Sequence, residues 1–126
     1  MLFLLLSAAV GRAQVNRRLA MDCLKIGTDE LEAGDLDAAL VQFQRAIELN
    51  PNYGAAYFSR GLVRKQQQDY DAAISDFTRS IALKPMAEAY LNRGATLRDR
   101  RVSKNSARRQ TMPFCCNNSA IAWRLA

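Results

Sequence analysis

The chain has 126 residues, 49% of them apolar, with 18 Lys and Arg against 12 Asp and Glu, a formal charge of +6 and no histidine. That length holds one modest domain, and the lack of histidine removes the commonest general base and the commonest metal ligand. The three cysteines, Cys23, Cys115 and Cys116, have the spacing of neither a zinc site nor a disulfide framework, and no Gly-rich phosphate loop or nucleophile with a nearby base occurs, so enzyme chemistry and cofactor binding are not expected.

The chain opens with "MLFLLLSAAVGRAQ", an apolar run from Leu2 to Val10 followed by the small residues Gly11 and Ala13. The run is far short of the roughly 20 residues of a membrane span but has the length of a secretory h-region, with a small-x-small cleavage pattern. Residues 1–14 are therefore read as a signal peptide cut after Ala13, which implies an exported protein, periplasmic or secreted. No Lys or Arg precedes the run, and the alternative is an apolar lead-in that packs on the first helix of a cytoplasmic protein.

From residue 15 the apolar pattern is helical, and it repeats. The segment "GDLDAALVQFQRAIELNP" (34–51) aligns without gaps on "QDYDAAISDFTRSIALKP" (68–85), with nine of eighteen residues identical and an offset of 34. A period of that length carried by two helical patterns means stacked helical hairpins. The predicted helices span 15–33, 36–49, 53–67, 70–83 and 86–99. Asp35 and Asp69 stand where second helices begin, as caps. Pro51 and Pro85 end those helices. Gly27, Gly61 and Gly94 fall inside first helices, where glycine costs ~1 kcal/mol unless a neighbour must come close. Ala39 and Ala73 are the expected close neighbours, Phe43 and Phe77 fill the wedge one turn on, and Leu49 and Leu83 extend the apolar stripe. Cys23 reads as a small core residue, and Glu30 and Arg64 are candidates for a pair across neighbouring helices.

Ile26-Gly27, Ala39-x3-Phe43 and Pro51, then Tyr57, Gly61, Ala73-x3-Phe77 and Pro85, then Tyr90 and Gly94 resemble the tetratricopeptide repeat family over roughly residues 20–98. The resemblance implies an all-α solenoid of about five helices whose concave face, lined by first helices, binds a peptide segment of another protein. On the second unit Tyr57, Gly61 and Arg64 form the packed stripe, so Phe58, Leu62 and Lys65 lie beside it. The same offset selects Leu24, Thr28 and Leu31 in the first unit and Leu91, Ala95 and Arg98 in the third. Leu24, Leu31, Phe58, Leu62 and Leu91 would line one groove with Lys65 and Arg98 at one end, suited to an extended or helical apolar peptide with an acidic flank. The competing reading is that these side chains only pack first helices together. Family members that clamp a terminal carboxylate use basic residues and asparagines. The corresponding positions here, Leu24, Thr28, Ser59, Glu88 and Asn92, do not match that set, which disfavours such a partner.

Residues 1–97 carry eleven basic and eleven acidic side chains, and residues 98–126 carry seven basic and one acidic. Arg98, Arg100, Arg101, Lys104, Arg108 and Arg109 have the charge for nucleic acid or an anionic surface but no aromatic residues interleaved for stacking, so a disordered basic tail over 100–126 is the expectation and nucleic acid is the alternative partner. The Asn117-Asn118-Ser119 acceptor pattern is taken as chance. The places where a third second helix needs its Ala and Phe hold Ser106 and Gln110. The abrupt loss of pattern near residue 100 suggests a truncated or out-of-frame end of a repeat protein. The competing idea is a short terminal helix, "SAIAWRLA", whose Ile121, Trp123 and Leu125 cover the end of the stack.

Overall fold

The computed structural model describes residues 1–111. They form five helices in series: α1 Leu2–Ala33, α2 Leu36–Leu49, α3 Gly54–Gln66, α4 Tyr70–Leu83 and α5 Ala87–Thr111. Consecutive helices pack on one another, α1 on α2, α3 on α4 and α5 on α4, while the first-type helices α1, α3 and α5 meet each other only along short stretches. No strand occurs among the described residues.

The second helices begin and end where the sequence places them. The Asp35 carboxylate accepts from the Ala38 N–H at 3.0 Å and that of Asp69 from the Ala72 N–H at 3.3 Å, each satisfying one orphan donor of a first turn. The turn before each cap needs a left-handed residue. Gly34 supplies it at φ 87°, and 34 residues later Gln68 adopts φ 64° with a side chain that glycine would spare.

Two core clusters hold the stack. Ala20, Cys23, Ala46, Ile47 and Ala56 form one, with Leu49, Tyr53 and Tyr57 packed on it. Ala39, Phe43 and Val63 form the other. Cys23 is a small core residue, as expected. The residues pressed on the helix glycines differ from expectation. An added Cβ on Gly27 would lie 2.6 Å from the Phe43 ring, and one on Gly61 would lie 2.8 Å from the Phe77 ring. The phenylalanines themselves, rather than Ala39 and Ala73, require the glycines. Ser80 is fully buried, and its hydroxyl has no hydrogen-bond partner in the structure. The aligned residue of the preceding unit is Ala46.

Three expectations are corrected. Helix α1 starts at Leu2 rather than at 15, and Leu2, Phe3, Leu4, Leu5, Leu6 and Val10 are exposed, so the lead-in extends the helix without packing on it. Arg64 pairs not with Glu30 but with Asp76 at 2.9 Å. Helix α5 runs past the expected end at 99 to Thr111. Earlier turns carry Gly34-Asp35 and Gln68-Asp69, and the matching place here holds Arg101-Val102, with neither a glycine nor a cap. Nothing local stops the helix, and basic residues suit its C-terminal end. The rest of the tail, with Cys115, Cys116, Asn117 and the Ile121, Trp123 and Leu125 segment, lies outside the described residues.

Candidate functional site

The predicted groove residues sit on α1, α3 and α5, and their burial separates them into two groups. Leu24 packs against both core clusters and Leu31 against the Phe43 cluster. The Thr28 hydroxyl donates to the Lys25 carbonyl at 2.7 Å, a bond within its own helix. Phe58 is half-buried, its ring tilted on that of Phe77 with centroids 5.7 Å apart. These four are engaged by the fold itself. Leu62 is half-buried, Leu91 is 72% exposed and Arg98 is exposed. Lys65 reaches the Asp99 carboxylate at 3.7 Å, which ties α3 to α5 and partly neutralises the cationic end. The free apolar surface is therefore shorter than the periodicity implies, and it centres on Leu62 and Leu91.

Sequence reasoning missed a charged cluster inside the second hairpin. Asp76, on α4 and almost fully buried, receives both nitrogens of a bidentate Arg60 pair at 2.7 and 2.9 Å and Arg64 at 2.9 Å. Arg60 also donates to the Gln44 side chain of the preceding unit and lies over the Tyr57 ring, 5.5 Å from its centroid. A buried carboxylate held this way is tolerated because both of its oxygens accept from guanidinium donors, three N–H groups in all. Asp76, preceding the motif phenylalanine on α4, was the available signal. Arg60 and Arg64 also line a cleft of about 640 Å³ with Leu40, Val41, Gln44, Arg45 and Glu48, which contains none of the predicted groove residues.

A second polar link recurs with the repeat. The first-turn carboxylate of α2, Asp37, accepts from Gln67 at the end of α3 at 3.1 Å. One unit on, Asp71 of α4 accepts from Arg100 of α5 at 2.7 Å, with Lys104 at 3.8 Å. The hydrogen bond from Arg100 is the main reason the Asp71 carboxyl is held below its ordinary value. Burial raises the Tyr53 phenol, which packs on the first core cluster.

Helical hairpins in series, with their first helices set side by side, define a repeat solenoid of the kind that holds other proteins. The chain belongs to the tetratricopeptide repeat family, whose model matches residues 24–87 and again 60–103, more than half of its length. Among solved structures it is similar to the MamA protein, at 28% identity and a TM-score of 0.64, covering 71% of this chain and 49% of that one. The chain thus spans about half the length of that relative. It is also similar in fold to the Arabidopsis OM64 TPR domain, at 20% identity and a TM-score of 0.66, covering 73% of this chain and 77% of that one. No curated protein matches it. The fold is that of a protein–protein interaction module. No helix among the described residues is long and apolar enough to cross a membrane.

Proposed function

We propose that the chain is an adaptor that binds a peptide segment of a partner protein along the concave side of α1, α3 and α5. The observation that carries this reading is the sparse contact between neighbouring first-type helices, with Leu91 exposed and Leu62 only half-buried. A short apolar segment fits that surface, with an acidic flank toward Arg98. Leu24, Leu31 and Phe58 support the groove from below, and Lys65, held by Asp99, sets its edge.

A displayed peptide library selected on the full chain tests this. Selected peptides are expected to be apolar with an acidic end, and to lose at least about tenfold in affinity to Leu62→Glu and Leu91→Glu with helicity unchanged. Peptides indifferent to both substitutions would refute the groove. Phe58→Ala is the poorer probe, because removing a ring that rests on Phe77 disturbs the hairpin as well.

Export is the second part of the proposal. The first buried residue of α1 is Ala20, so cleavage after Ala13 would remove no core contact. The N-terminal mass of the mature protein decides it, and retention of Met1 or Leu2 would mean no cleavage.

A further inference from the structure

Helix α3 and helix α5 share the pattern Tyr-x2-Arg-Gly: Tyr57, Arg60 and Gly61 in one, Tyr90, Arg93 and Gly94 in the other. Both helices bury the same side against the preceding unit, α3 through Ala56 and Val63 and α5 through Ala89 and Thr96. On the other side they part. Gly61 is covered by Phe77 and Arg60 is paired with Asp76, whereas a Cβ on Gly94 would meet nothing within 4 Å. Tyr90 is 49% exposed and Leu97 is 40% exposed on that open side. Arg93 lies over the Tyr90 ring at 5.4 Å, as Arg60 lies over Tyr57, but has no carboxylate partner among the described residues. Among the described residues, the open side of α5 is thus the α4-binding side of α3, presented without its helix.

We propose that Tyr90, Arg93, Gly94 and Leu97 dock an amphipathic helix of a partner protein that sets an aromatic side chain on Gly94 and the acidic residue beside it against Arg93. The template is α4, where Asp76 pairs with Arg60 and Arg64 and Phe77 lies on Gly61. Charge selects the occupant. A second copy pairing α5 with α5 would bring together two helices that each carry seven basic residues against only Glu88 and Asp99, and residues 112–126 contain no Asp or Glu to face Arg93. This surface adjoins the peptide groove at Leu91, the counterpart of the Phe58 that rests on Phe77, whereas Arg93, Gly94 and Leu97 lie outside the groove.

The probe is a fluorescent synthetic peptide of residues 69–84, titrated by anisotropy into the full chain. Saturable binding is expected. It should weaken at least about tenfold when the peptide carries Phe77→Ala, or when the protein carries Gly94→Leu, whose Cβ would meet nothing within 4 Å and whose helicity is checked by circular dichroism. Arg93→Glu in the protein should weaken the parent peptide and restore binding to a peptide carrying Asp76→Lys. Several outcomes would overturn the proposal: no saturable binding, binding indifferent to Gly94→Leu because the peptide displaces the chain's own α4, sedimentation as a dimer that Gly94→Leu dissociates, or binding seen only after residues 112–126 are removed.

Discussion

The α3–α4 hairpin and α5 begin from nearly the same first-helix residues and arrive at opposite surfaces. In the hairpin, Gly61 lets the Phe77 ring lie against the backbone, and the charge of Arg60 is buried on Asp76. In α5, Gly94 is exposed and the half-buried Arg93 has no carboxylate partner among the described residues, and the helix continues to Thr111, steadied by Arg100 and Lys104 on Asp71. A motif residue in a repeat is therefore half of an interaction. Its cost is local and constant, and its benefit exists only where the second helix is present.

The largest way to break this contrast is to remove the shared carboxylate. Asp76→Ala strands Arg60 and Arg64 and should cost about 3 kcal/mol or more in urea unfolding, whereas Arg93→Ala should change stability by no more than about 0.5 kcal/mol. Equal effects would mean that the cluster is not a packing device. Next come the glycines. Gly61→Ala drives a Cβ into a fully buried ring, and the overpacking should outweigh the helix-propensity gain, for a net loss of about 1 to 2 kcal/mol. Gly94→Ala should instead stabilise by up to about 1 kcal/mol, because only the propensity gain applies. A loss at Gly94 would show that something covers it.

Ser80→Ala sharpens the comparison from inside the hairpin. It removes a buried hydroxyl without a partner and restores the residue that the first unit has at Ala46, so it should raise the unfolding free energy measured in urea by about 1 kcal/mol. The smallest effect is that of pH on the α5 extension. The Asp71 carboxyl is depressed in the folded state below its ordinary value of 3.8, chiefly by the Arg100 hydrogen bond. Its contribution is complete above the ordinary value and is lost as pH falls through the folded one. The protection of the amides at residues 100–108, relative to their intrinsic exchange at each pH, should fall as pH drops through the folded value, and Asp71→Asn should lower it at neutral pH.

Much of the fold was legible because each cue acts locally. Asp35 and Asp69 cap their own turns, Pro51 and Pro85 lie just beyond helix ends, and the offset of 34 fixes which residues recur. The groove was legible as a stripe but not as a surface. Leu91 and Phe58 are equivalent by periodicity, yet one is exposed and the other lies on Phe77, a difference set by whether a second helix stands behind. The Arg64 partner was misassigned for a related reason. A charge on an α-helix can turn toward either neighbouring helix, and only the depth of Asp76 decided which.

The amino-acid sequence by itself determined the all-α class, the hairpin period and the caps and stops, because these follow from backbone hydrogen bonding and side-chain spacing within a few turns. The tertiary structure alone decided which stripe of each first helix is consumed by packing, where the buried charge cluster closes, and that α5 runs on with one face open. Those outcomes depend on which surfaces meet at distance in the chain, and burial, unlike a cap or a turn, has no value until the partner surface is in place.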